Sequence, residues 1–175
     1  MSELPCNVLF LCTHNSARSI MAEALLNHWA QGRVRAFSAG SHPRGDVHPL
    51  ALQALQMRGV PVDGLRSKGW DEFATPGAPC LSVVITVCDS AAGEMCPIWP
   101  GGPIKSHWGV AEPGRLAVGQ TREEALGAFA AALDKLERRI RDFLTLPLDS
   151  MDAASLKEAL DGIGHRHGMD QEEPA

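Results

Sequence analysis

An apolar run, Val8-Leu9-Phe10-Leu11, has the length and composition of a buried strand. Helical spacing takes over from Ile20 to Trp29, so the chain turns from strand to helix with a helix start near Ser16 or Ala17. Val34-Arg35-Ala36-Phe37-Ser38 predicts a second strand, closed by the turn-forming stretch Ala39-Gly40-Ser41-His42-Pro43. Pro49 suits a first helical turn, and Leu50, Ala54, Leu55 and Met57 form an apolar face that Gly59 ends. Leu81 to Val87 is nearly all apolar and β-branched, which predicts a third strand covered on both faces. A short fourth strand is predicted over Ile104 to Trp108. Thr121 and Glu124 then read as a capping box, and Ala125, Phe129, Leu133, Leu136, Ile140 and Phe143 as the buried stripe of a long helix. A last short helix is predicted over Ala153 to Leu160, followed by a disordered polar tail.

This alternation implies βαβ crossovers in one α/β domain: a doubly wound sheet of about four parallel strands with helices on both faces. A chain of 175 residues, 45% apolar and 21% charged, is ordinary for one soluble domain. The net charge of −5 argues against a general nucleic-acid binder. Neither a polybasic run nor a signal peptide or membrane span is apparent, so a cytoplasmic protein with no membrane partner is expected. Five cysteines, at 6, 12, 80, 88 and 96, are an odd number and read as free thiols rather than a disulfide framework. Cys6 and Cys80 are expected to pack at strand edges. His165 and His167 lack accompanying carboxylates or cysteines, so no metal site is expected.

The strand-to-helix junction carries the chemistry. Cys12-Thr13-His14-Asn15-Ser16-Ala17-Arg18-Ser19 sets a cysteine and an arginine with five residues between them, just where a helix leaves its first N–H groups unpaired. Those donors and the fork of Arg18 suit a tetrahedral oxyanion, with Thr13, His14, Asn15, Ser16 and Ala17 lining it. The same field is expected to favour thiolate at Cys12, and Ser19 to donate a hydrogen bond to it. His14 points outward, with no catalytic part. Arg66 and Lys68 are expected as solvated surface charges.

Cys88 falls at the C-terminal end of the third strand, which in a parallel sheet faces the same crevice as the loop after the first. Cys96 follows after seven residues, in a segment where Gly93 permits bending. Three thiols on one rim suggest a redox relay.

The Cys-x5-Arg-Ser loop after the first strand resembles the low-molecular-weight tyrosine phosphatase family, in particular its arsenate reductase branch. Further matching stretches are Phe37-Ser38-Ala39-Gly40-Ser41-His42-Pro43, Arg66 to Phe73, Val84 to Asp89, Cys96 to Gly101 and His107-Trp108-Gly109. The resemblance implies a phosphotyrosine protein phosphatase I-like catalytic domain over residues 1–147, with 148–175 as a C-terminal extension. It also implies a reaction: Cys12 attacks arsenate, Cys88 attacks Cys12 sulfur to release arsenite, and Cys96 attacks Cys88 to free Cys12. No bound cofactor is implied, only an external thiol reductant. Thioredoxin is the first expectation. The interval from Cys88 to Cys96 is a residue longer than in thioredoxin-linked members, so glutaredoxin with glutathione stays open. Phosphate is the competing oxyanion.

Relatives also imply that Asn15 locks the loop by bonding Ser38. They carry an acidic residue before proline after the fourth strand, a place taken here by Glu112-Pro113, so Glu112 is the candidate acid. Gly114 and the lack of any tyrosine disfavour a phenyl-phosphate substrate. Two other readings stand beside reduction: a phosphatase working through a Cys12 phosphocysteine, and a non-enzymatic oxyanion or arsenite binder.

Overall fold

The structure, a computed structural model, describes residues 6–88, 99, 101–113 and 121–166. Strands β1 (Cys6–Cys12), β2 (Val34–Gly40), β3 (Val83–Thr86) and β4 (Ile104–His107) form one sheet in the order β2-β1-β3-β4. Every pairing is parallel. Among the described residues helices α1 (Arg18–Ala30), α2 (Pro49–Met57), α3 (Arg122–Leu144) and α4 (Ala153–Arg166) accompany the sheet, with single 3-10 turns at Trp70–Phe73 and Leu148–Ser150. The chain reverses its direction of winding at β1, and the loop leaving β1 therefore opens on the crevice where such sheets bind ligands.

Alternation along β1 divides the core. Val8, Phe10 and Cys12 face the larger cluster, to which α1, α2, α3 and α4 all contribute. Leu9 and Leu11 face a smaller one with Phe73, Leu81, Val84 and Trp99. Among the described residues the helices pack on the first face, and the Trp70–Phe73 turn and Trp99 lie on the second. Helix α1 is buried on most of its circumference because the sheet, α2 and α3 all pack against it. All six residues of the stripe expected on α3 are buried, and Thr121 caps its N-terminus through Glu124 N–H at 3.1 Å.

The third strand is shorter than expected, four regular residues, although Ser82 N–H still reaches Asn7 and Val87 N–H still reaches Leu11. The last helix is longer. It runs to Arg166 where a helix ending at Leu160 and a tail were expected, because Leu156, Leu160 and Ile163 lie on one buried face. Its glycines are not a stop: Gly164 lets the helix lie against β4, where an added Cβ would sit 2.7 Å from the His107 carbonyl oxygen. The segment expected as an extension after residue 147 therefore supplies part of the main core.

These contacts fix the exit of β4. Trp108 is wholly buried beside Phe10 and Phe143, and its Nε1–H donates to the Leu160 carbonyl at 3.0 Å. Arg139 of α3, also wholly buried, donates to the Gly109 carbonyl at 3.0 Å. Val110 and Glu112 come next in the chain.

The two glycines of α4 give a test with opposite signs. Gly162 has open space around its Cβ position, so Gly162→Ala is expected to stabilise by about 0.5–1 kcal/mol. Gly164→Ala, equally favourable for the helix, is expected instead to cost about 1–3 kcal/mol through overpacking on β4. Urea unfolding of the two variants reads both.

Candidate active site

The loop from Cys12 to Arg18 is held from outside by its own carbonyls. Those of Thr13, His14 and Ser16 accept from His42, Arg44 and His48 N–H at 2.8, 2.9 and 2.8 Å, all from the connection between β2 and α2. Tying carbonyls outward turns the intervening N–H groups toward the concave side, the arrangement that receives an oxyanion. Asn15 adopts a left-handed conformation, φ 46°, which such a bend requires. Gly40 permits the close approach of β2: a Cβ there would lie 2.5 Å from the Thr13 carbonyl oxygen and 2.9 Å from that of Cys12.

Inside the loop a chain of hydrogen bonds runs to the sulfur. Lys68 N–H donates to Asn15 Oδ1 at 2.8 Å, and Asn15 Nδ2–H donates to Ser19 Oγ at 2.7 Å. Ser19 Oγ lies 2.9 Å from Cys12 Sγ. Asn15 thus donates into the same oxygen that hydrogen-bonds the sulfur, and when Cys12 is a thiolate the Ser19 hydroxyl is the donor to it. The Asn15–Ser38 bond is not formed. Ser38 donates at 2.7 Å to Glu23, whose carboxylate is the stronger acceptor, and Asn15 turns to Lys68 and Ser19 instead.

Burial pushes the Cys12 thiol up, and the nearby Cys88 adds to this; the Ser19 bond and the charge of Arg18 pull it back only in part. The expected lowering is therefore reversed on balance, since Cys12 is 3% exposed and the penalty for burying a thiolate exceeds the help from its neighbours. Arg18 is buried as well. Its Nη1 donates to the Val110 carbonyl and its Nη2 to Glu112 Oε2, both at 2.9 Å.

The structure sets the loop from Cys12 to Ser19 against Cys88 on one side and Glu112 on the other, through the Thr13–Cys88 and Arg18–Glu112 contacts, while Ser38 bonds Glu23 instead of the loop. Cys88 is buried just past β3, its sulfur 3.6 Å from Thr13 Oγ1. His14 is exposed, as expected. Cys96 and Gly114 lie outside the described residues, as does His167. Among the described residues no group of three or more His, Cys, Asp or Glu side chains is arranged to hold a metal, and no helix is long and apolar enough to cross a membrane.

Two expectations are corrected. Cys80 is exposed rather than packed, while Cys6 is half-buried. Lys68 is not a solvated charge: it is buried, its ammonium donates to the Arg66 carbonyl at 3.0 Å and lies 3.5 Å from Glu23, and burial lowers its pKa. Arg66 is exposed and paired with Glu72. Three residues escaped sequence reasoning. Gly40 was read only as turn punctuation, and Glu23 was given no role. His48 caps α2 through Leu50 N–H at 3.1 Å and packs its ring 4.6 Å from Phe129, a role that Pro49 immediately after it could have signalled.

The family model described as low molecular weight phosphotyrosine protein phosphatase matches residues 7–159. The arsenate reductase of Bacillus subtilis is 32% identical over 136 residues, covering 78% of this chain and 93% of that protein. Among solved structures, the thioredoxin-dependent arsenate reductase of Corynebacterium glutamicum superposes with a TM-score of 0.54 at 30% identity, over 81% of this chain and 64% of that one. An arsenate reductase in the phosphate binding state superposes with a TM-score of 0.65 at 25% identity, over 80% of this chain and 97% of that one.

Two outcomes follow from this geometry. Ser19→Ala removes a bond that lowers the Cys12 pKa, so the pH midpoint for iodoacetamide alkylation of Cys12 is expected to move upward. Gly40→Ala drives a methyl into loop carbonyls, and phosphate binding by calorimetry is expected to weaken by roughly tenfold or more.

Proposed function

The chain belongs to the low molecular weight phosphotyrosine protein phosphatase family, and within it we propose that this protein reduces arsenate to arsenite in the cytoplasm through its own thiols. One observation carries this reading above all: a second buried thiol, Cys88, lies against the loop that begins at Cys12, its sulfur 3.6 Å from Thr13 Oγ1. A phosphatase needs only Cys12.

In the proposed reaction Arg18 and the loop N–H groups hold arsenate while Cys12 sulfur bonds to arsenic and an oxygen leaves as water. Glu112, which accepts from Arg18, supplies that oxygen's proton when its carboxyl is protonated. Cys88 then attacks Cys12 sulfur; the S–As bond breaks, its electron pair stays on arsenic, and arsenite leaves with a Cys12–Cys88 disulfide behind it. Cys96 attacks Cys88 sulfur, Cys12 returns as a thiol, and an external dithiol reduces the Cys88–Cys96 disulfide. Two electrons thus pass from that dithiol to arsenic. A thioredoxin-type reductant is favoured over glutaredoxin with glutathione, on the likeness to the thioredoxin-dependent enzyme of Corynebacterium glutamicum. The carboxylate before Pro113 also suits a phosphatase, which makes hydrolysis through phosphocysteine the second reading.

NADPH consumption with thioredoxin and thioredoxin reductase separates the two. Arsenate-dependent turnover is expected, and each of Cys12→Ser, Cys88→Ser and Cys96→Ser is expected to abolish it. Sustained turnover in Cys88→Ser, or aryl-phosphate hydrolysis untouched by loss of Cys88 and Cys96 in a protein inert toward arsenate, would overturn the reductase reading.

A further inference from the structure

Among the described residues two arginines are buried, and they reach the same stretch of chain from different helices. Arg139 of α3 is wholly buried, and its Nη1 donates to the Gly109 carbonyl at 3.0 Å. Arg18, at the start of α1, donates from its own Nη1 to the next carbonyl, that of Val110, at 2.9 Å. Between these two carbonyls the Val110 N–H donates to the Val87 carbonyl, also at 2.9 Å. The peptide unit joining Gly109 to Val110 is thus tied at its oxygen and at its nitrogen, and a planar unit tied at both has a fixed orientation. The carbonyl that follows it, the one Arg18 grips, takes its direction from that unit.

A guanidinium keeps its charge throughout the pH range of a folded protein, and taking one out of water costs free energy that an apolar side chain would not. Helix α3 already buries Leu133, Leu136, Ile140 and Phe143, and another apolar residue would continue that face. What Arg139 adds is a strong, charged donor aimed at one main-chain oxygen. Arg18 in turn works as a flat fork, and its use to a tetrahedral anion depends on where the plane of that fork lies. With Nη1 on the Val110 carbonyl and Nη2 on Glu112, the plane is set before a ligand arrives. Were the Val110 carbonyl free to turn, Arg18 would keep its charge and lose its aim.

We propose that Arg139 is a positioning residue for Arg18: through two consecutive main-chain carbonyls, the core of α3 sets the guanidinium that grips the oxyanion. This rests on the reading of the loop as an oxyanion site and holds for a reductase and a phosphatase alike. It gives the long helix a part in ligand affinity, separate from any transfer of a proton or of electrons between thiols.

The test uses the reduced, full-length protein labelled with nitrogen-15 at arginine, the Arg18 side-chain signals being identified by their loss in Arg18→Lys. In the wild type each Nη of Arg18 is expected to give two separate N–H signals, because the bonds to Val110 and Glu112 stop its rotation. Arg139→Met is expected to merge one of these pairs and to weaken sodium phosphate binding, read by calorimetry, by about tenfold or more. Arg139→Lys keeps a cationic donor and is expected to stay within about threefold of the wild type. Val34→Ala truncates the core at the end of β2 far from the loop, and is expected to lower stability while changing neither reading. Folded Arg139→Met protein with unaltered Arg18 signals and a phosphate affinity within about twofold of the wild type overturns the proposal, as does an equal loss of affinity in Val34→Ala. Averaged Nη signals in the wild type itself also overturn it, so the test survives an Arg139→Met that fails to fold. A wild type that binds no phosphate defeats the oxyanion reading and the proposal together, whereas the other outcomes defeat the proposal alone.

Discussion

The site depends on a line of three hydrogen bonds that begins in the backbone of Lys68 and ends at the sulfur of Cys12. Lys68 N–H orients the Asn15 amide, the amide donates to Ser19, and Ser19 hydrogen-bonds the sulfur of Cys12. Each member is buried, so each bond is made without competition from water, and loss of one would leave a buried polar group unpaired. The left-handed Asn15 and the bare Cα of Gly40 are the backbone conditions that allow the line to form. A nucleophile buried this deeply resists ionisation, and the bonded serine and Arg18 offset part of that resistance while a tetrahedral ligand is held beside it.

The sheet supplies the second requirement, convergence. In a parallel sheet all strand ends of one sense lie along one edge, and β1, β3 and β4 deliver Cys12, Cys88 and Glu112 there in turn. The helices on the larger cluster hold the least regular of these deliveries. Trp108 and Arg139 lock the chain leaving β4, so that Glu112 meets Arg18 from the far side of the crevice. The last helix takes part in this through Leu160, which is why its sequence follows the core rather than the solvent.

Much of this was legible in the sequence, for reasons that can be stated. The order of strands and helices follows from hydrophobic period, and the nucleophilic loop from a strand running directly into a helix. Cys88 could be set beside it because a strand's end is fixed by its pattern. What sequence could not supply was partner choice. Asn15 was expected to bond Ser38, and the outcome turned on Glu23 arriving from α1 to claim that hydroxyl. Lys68 looked like any surface lysine, since nothing local announces that its ammonium lies by Glu23 under a loop. The last helix was predicted only to Leu160, and the nearness of β4 accounts for Gly164 in the turn beyond it. Cys12 was expected to ionise easily from its charged neighbours, while the opposing cost of burial depended on packing yet to be seen.

The central claim is that Cys12 and Cys88 exchange electrons with arsenic across one crevice. Its most direct test uses reduced Cys96→Ser protein, mixed with arsenate in the absence of any external reductant, with arsenite quantified and disulfides mapped by mass spectrometry. The account predicts a single round: about one arsenite per chain, and a Cys12–Cys88 disulfide that does not form when arsenate is left out. Arsenite without that disulfide, or the same disulfide in equal yield without arsenate, would contradict it.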